Sequence, residues 1–262
     1  MVSMNFILYT LLVSIGINLI MFVPAFLLKT DKITDISYAV TFAVVAISGY
    51  LRSEQTSLHK IIVVLVLLWS FRLGSFLFVR INRMKRDMRF DGMRDNFFKF
   101  LRFWVLQGAT VYVVMLAASL GMMQLGTKIT VLTIVGIVIF LKGLIIEAIA
   151  DMQKFTFTGK AANKGKWIDI GIWKTSRHPN YLGEMLVWIG MYLVVVSSLS
   201  GINILWASLS PLYIISLLLF VSGIPLLEKS ADKKWGTDKN YKKYKQEVPV
   251  LIPTIRSLKR LG

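Results

Sequence analysis

The sequence predicts an all-α integral membrane protein, a bundle of seven transmembrane helices, and three observations carry that prediction. Hydrophobic residues make up 55% of the 262 positions, and the mean hydropathy is +0.64, more apolar than a water-soluble domain of this length. Seven apolar runs come close to the roughly 17–25 residues that a bilayer requires. The basic residues collect in alternate loops.

The runs are 6–28, 36–51, 61–79, 103–122, 129–150, 181–200 and 202–227. The first lacks a basic leader and is long for a signal peptide, so it reads as a span. The second is the shortest. Lys and Arg number eight in the loop 80–102, six in the loop 154–177 and ten after residue 227. The N-terminus and the last loop between spans carry none. By the positive-inside rule the N-terminus is outside and the C-terminus cytoplasmic, which requires an odd number of spans. The chain reads as a single transmembrane domain, residues 1–262, with a basic cytoplasmic cap. Its localisation is multi-pass in a membrane, the plasma (inner) membrane if the source is bacterial. The tail from Asp232 to Tyr244 has strong helix formers and many lysines, then breaks at Pro249 and Pro253. It reads as one surface amphipathic helix followed by an extended end.

Composition also excludes chemistry. There is no cysteine, so no disulfide, thiol nucleophile or Cys-ligated metal is available. The two histidines, His59 and His178, are far apart in sequence, and no metal site is expected. The net charge of +17 sits on loops of one side, which points away from nucleic acid. It serves orientation and attraction to anionic lipid, or it forms a basin that also holds phosphates.

Four ionisable residues lie inside spans: Arg72, Lys142, Glu147 and Glu184. Such residues normally face the bundle interior or a wet cavity and pair there. A shared cavity open to the cytoplasm accounts for all four. The alternative is snorkelling of the two cations to the headgroups, with Glu147 paired to Lys142. At the end of the fifth run Glu147, Asp151 and Lys154 fall on one helical stripe. That stripe suits ribose hydroxyls or an amide-bearing ring, or it is a plain charge ladder. The loop 80–91 mixes Arg80, Asp87 and Arg89 with further Arg, Lys and Asn, a composition that suits a phosphorylated, hydroxyl-bearing ligand.

The stretch 176–184, Ser-Arg-His-Pro-Asn-Tyr-Leu-Gly-Glu, joins a basic loop to the sixth run. Pro179 disfavours helix at His178, and Asn180 is the expected N-cap. Arg177 and His178 then stand just outside a helix N-terminus, a ready anion site. Glu184 follows Asn180 by one turn on the same face.

Residues 171–184 resemble the C-terminal signature of a bacterial family of unknown function, DUF1295, similar to the membrane steroid 5α-reductases. More distantly they resemble the sterol C14 and C24 reductases and the isoprenylcysteine carboxyl methyltransferases. Three other stretches fit: 147–155, residues 69–74 with 87–90, and Glu228 with Tyr241, Tyr244 and 251–253. The resemblance implies a cofactor-binding half at 129–255 and a substrate side at 1–128. Reductases of that superfamily bind NADPH, whereas the methyltransferases bind S-adenosylmethionine and generally lack both the Asn and the acid seen here at Asn180 and Glu184. The resemblance therefore implies NADPH. It assigns Asn180 and Glu184 to the nicotinamide amide and Asp151 elsewhere on the cofactor. Arg177, Tyr241, Tyr244 and the basic residues of the third loop go around the ribose and phosphates. His178, Tyr181, Glu147, Lys154 and Glu228 complete the implied cofactor set. The sequence departs from the steroid reductases at the substrate end. The Gln-Glu pair of their second span is absent, and Trp69 stands where they carry Tyr. Tyr38, Trp69 and Arg72 are the replacement candidates for the substrate's polar end, Tyr38 as a donor.

The expected activity is NADPH-dependent hydride transfer to an activated C=C of a lipophilic substrate, steroid-like or isoprenoid, that arrives from the bilayer. The alternative is an S-adenosylmethionine-dependent methyltransferase acting on a lipid or an isoprenylcysteine-type carboxyl group. A non-catalytic lipid-binding or scaffold protein with the same fold is the third.

Overall fold

A computed structural model of the chain describes residues 2–84 and 90–261. Its elements among those residues are helices: α1 (Val2–Leu27), α2 (Thr34–Leu51), α3 (Ser57–Met84), α4 (Phe97–Met122), α5 (Val131–Gly159), α6 (Pro179–Val196), α7 (Ile202–Ser216), α8 (Ile224–Trp235), α9 (Lys239–Glu247) and α10 (Ile255–Leu258). Seven helical segments are long and apolar enough to cross a membrane, and they coincide with the seven runs read from the sequence. The protein is a multi-pass integral membrane protein. Several helices outrun the apolar runs. α3 and α5 continue into Arg- and Lys-bearing turns, because backbone hydrogen bonding propagates past the point where side chains leave hydrocarbon.

The seventh segment is interrupted. After α7 the chain makes one π turn, Leu217–Val221, closed by the Ser222 N–H donating to the Leu217 carbonyl at 2.9 Å. Gly223 and Pro225 follow, and α8 restarts with Pro in its first turn, where its missing N–H costs nothing. The tail differs from the single helix expected over 232–244. It breaks at Gly236, and α9 is a new helix. Asp238 caps it, its carboxylate accepting from the Asn240 and Tyr241 N–H groups. The Gly-Thr-Asp sequence supplies a stop and a cap at once.

The chain divides into two compact units: residues 1–136 with 191–210, and residues 137–190 with 211–262. The sequence reading divides one domain at 128/129. The packing divides it at 136/137 and returns 191–210 to the first unit.

The first unit is joined by neutral polar contacts within apolar helices. The Gln107 amide on α4 donates to the Asn18 side chain of α1 at 2.9 Å and to the Thr34 carbonyl of α2 at 3.1 Å. Asn18 in turn donates to Thr41 on α2 at 3.3 Å. Lipid tails are as apolar as Leu, so burying apolar surface does not hold helices together here, and such bonds with close packing must. Phe22, Phe100 and Trp104 form an aromatic core at one end of α1 and α4.

The second unit uses close approach. Glycines lie opposite each other on α5 and α6. A Cβ on Gly183 would sit 2.7 Å from the Glu147 Cβ and from the Gly143 carbonyl oxygen. A Cβ on Gly143 would meet the Gly183 carbonyl oxygen at 2.6 Å. Only hydrogen fits at this crossing. It sets Glu147, 5% exposed, against α6 one residue from Glu184.

Candidate functional site

The site in the second unit is built on the last turns of α5. The Trp173 indole N–H donates to the Ala150 carbonyl at 3.0 Å. The Ile172 N–H donates to the Gln153 side-chain oxygen at 3.1 Å. These two bonds fasten the short 3₁₀ turn Gly171–Lys174 to α5. The Lys154 ammonium lies 4.9 Å from the Trp173 ring centroid, a favourable cation–π distance.

From that turn the chain runs to α6, which begins at Pro179 rather than after Asn180. Pro179 occupies the first helical position, where its fixed φ suits the helix and no donor is lost. Asn180 is therefore inside the first turn and does not cap it. Its expected capping role falls away, while its place one turn before Glu184 on α6 stands. The loop before the helix is held by the tail. The Arg177 N–H donates to the Pro249 carbonyl at 3.0 Å and the His178 N–H to the Val250 carbonyl at 3.1 Å.

Glu228, near the start of α8, is the centre of the charge. One carboxylate oxygen pairs with His178 Nε2 at 2.9 Å. The other meets the Arg177 guanidinium at 3.2 Å and the Lys245 ammonium at 3.0 Å. Lys245 also bridges to Asp232 at 2.7 Å, and Arg177 donates to the Lys245 carbonyl at 2.9 Å. Four segments converge: the loop before α6, α8, α9 and the bend after it. Burial pushes the His178 imidazole below its ordinary value, and the Glu228 carboxylate only partly opposes that. With His178 neutral, the tautomer that fits donates from Nε2 to Glu228.

Aromatic rings form the adjoining wall. Trp167, Trp235 and Tyr241 meet in pairs at centroid distances of 5.3, 5.8 and 6.2 Å. The Tyr244 hydroxyl donates to the Trp173 carbonyl at 3.1 Å. Burial pushes both phenols up, so they remain neutral donors. Between this wall and the Glu228 cluster lies a cavity of about 270 Å³. Lys154, Lys166 and Lys234 contribute to its lining. A basic rim around aromatic walls can receive a flat ring that carries negative charge.

The residues read from the sequence are distributed unevenly. Lys154, Arg177, His178, Glu228, Tyr241 and Tyr244 all line this cavity. Glu147 and Asp151 stand on α5, and Asn180, Tyr181 and Glu184 on α6; none of the five lines it. Glu184 accepts a hydrogen bond from the Trp188 indole at 2.8 Å, and the Tyr181 ring stacks on His178 at 5.7 Å. The remaining candidates belong to the first unit. The Tyr38 ring is 5.0 Å from Phe42, which is 4.7 Å from Trp69. Trp69 is 1% exposed and part of that unit's core. The Arg72 guanidinium is 5.7 Å from the Phe76 ring. Arg80 pairs with Asp35 at 2.8 Å. Asp87 and Arg89 lie outside the described residues.

Sequence reasoning missed Lys245, Asp232, Trp167 and Trp235. The signal for the wall was present. Tyr241, Tyr244 and Val248 recur at three and four residues, an apolar stripe on an otherwise charged helix, and these three form a buried cluster with both tryptophans packed against it. Nothing local marks Lys245 among its neighbouring lysines.

A family model described as a protein of unknown function, DUF1295, matches residues 21–248. No curated protein and no solved structure matches the chain.

Proposed function

The chain belongs to the DUF1295 family, and from that premise we propose that it is an NADPH-dependent membrane reductase of an activated C=C in a lipophilic substrate. The observation that carries this reading is the basic, aromatic-walled cavity beside the Arg177–His178–Glu228 cluster. Its residues fit a phosphorylated ligand with flat rings. At about 270 Å³ it lies just below the range of ligand pockets, about 300 to 1,000 Å³. It therefore takes one part of a dinucleotide. On this reading Lys154, Lys166 and Lys234 face phosphate, and the Trp and Tyr rings face a base. Asn180 and Glu184 hold the nicotinamide amide, and Glu147 and Asp151 hold other polar groups of the cofactor. When bound, the dinucleotide supplies a hydride. The protein orients it, excludes water and provides a proton.

Purified protein in detergent, titrated with NADPH, NADH and S-adenosylmethionine, tests the proposal. NADPH binding followed by loss of its absorbance with an enone lipid is the expected result. Binding of S-adenosylmethionine alone turns the reading to the methyltransferase. Binding of neither cofactor ends both. Glu184→Gln, which still accepts from Trp188, weakens NADPH binding on this reading by about tenfold, the size of one charge-assisted hydrogen bond.

A further inference from the structure

Residues 252–261 present apolar side chains that none of the other described residues covers. Ile252 is 70% exposed, Ile255 78%, Leu258 49% and Leu261 52%. They recur every third residue through and beyond α10. Arg256 and Lys259, both exposed, alternate with them.

The segment is nonetheless folded and anchored on its other side. Thr254 and Ser257 cap α10 reciprocally, the Ser257 N–H donating to the Thr254 hydroxyl oxygen at 3.2 Å and the Thr254 N–H to the Ser257 hydroxyl oxygen at 2.9 Å. Ser257 is fully buried. Arg260 turns inward to Asp169 at 2.9 Å. Farther up, the Pro249 and Val250 carbonyls receive the N–H groups of Arg177 and His178. A frayed tail would not hold four large apolar side chains outward on a backbone fixed at three points.

We infer that residues 250–261 form an interfacial anchor that lies on the bilayer, with Ile252, Ile255, Leu258 and Leu261 in the acyl–headgroup boundary and Arg256 and Lys259 against anionic lipid headgroups. An apolar face edged by basic residues is the pattern of helices that lie in a membrane interface. The charge selects the partner: a second copy would bring like charge against Arg256 and Lys259, whereas an anionic leaflet attracts them. The protein is already embedded in a bilayer, so this partner is present at high effective concentration. Because Val250 of this segment receives the His178 N–H and Pro249 just before it receives that of Arg177, the anchor also holds the loop that precedes α6.

The absence of cysteine makes a direct experiment available. Full-length Ile255→Cys carries a polarity-sensitive fluorophore and is reconstituted in nanodiscs of anionic or purely zwitterionic lipid. Lys243→Cys, labelled alike, reports the water-facing side of α9. The expected result is a blue-shifted Ile255→Cys probe, quenched by nitroxide on the lipid chains and shielded from iodide, in anionic discs. Adding Arg256→Gln and Lys259→Gln should weaken this docking about fivefold for each charge removed. An Ile255→Cys probe as open to iodide as the Lys243→Cys probe in both lipids overturns the anchor. So does shielding that appears only with two copies per disc and ignores lipid charge, which assigns the face to a second copy. Leu258→Cys repeats the measurement should the first label perturb α10.

Discussion

The two units hold helices together next to lipid, and the polar groups at the centre of each differ. In the first, Gln107, Asn18, Thr34 and Thr41 link three helices through neutral hydrogen bonds. In the second, one carboxylate collects Arg177, His178 and Lys245, and the transmembrane contact beside it is bare backbone at Gly143 and Gly183. Amides are tolerated within a span because each loses only the bonds it can replace. A carboxylate with three bases needs several segments to converge, and loops and tail can do that where a straight span cannot. Neutral bonds thus suit the middle of the apolar helices, while charge is gathered at helix ends and loops.

The largest expected effect comes from removing the centre of the charged cluster. Glu228→Ala leaves three bases without their common partner and should cost about 3–5 kcal/mol, read as a lowered melting temperature in detergent. Glu228→Gln, which still accepts from His178, should lose less; equal losses would mean that charge is irrelevant there. Next is the glycine crossing. Gly183→Ala forces its Cβ into Glu147 and should cost about 1–3 kcal/mol by overpacking. A neutral result would mean that the two helices are free to move apart. Gln107→Leu should cost about 1 kcal/mol, the scale of hydrogen bonds between membrane helices. A loss as large as that of Glu228→Ala would break the contrast between the units.

The smallest effect is on pH dependence. Burial holds the folded-state pKa of His178 below 6.5, so the unfolded chain takes up its proton first on acidification. Stability therefore contributed above about pH 6.5 is lost as pH falls toward the folded value. Melting temperatures of the wild type against His178→Asn between neutral and mildly acidic pH should show a shallower slope in the variant. Parallel slopes would place the titration elsewhere.

The seven crossings were legible in the sequence, since hydrophobic length is a local property and a bilayer imposes it on each segment independently. The sequence also marked Arg177, His178 and Glu228 as candidates, two of them through one motif. Partnership was not legible. No spacing rule relates Glu228 to His178, fifty residues away, or singles out Lys245 from the other lysines of α9, because each contact exists only after four segments have met. The wall of Trp167, Trp235, Tyr241 and Tyr244 is likewise divided between a loop and two helices. The start of α6 at Pro179 and the break at Gly236 lay within reach of sequence rules, yet only the folded chain decided which of several competing caps was used. Local pattern thus determined what each segment is, and tertiary structure decided what it faces, because burial and pairing depend on neighbours that sequence distance does not record.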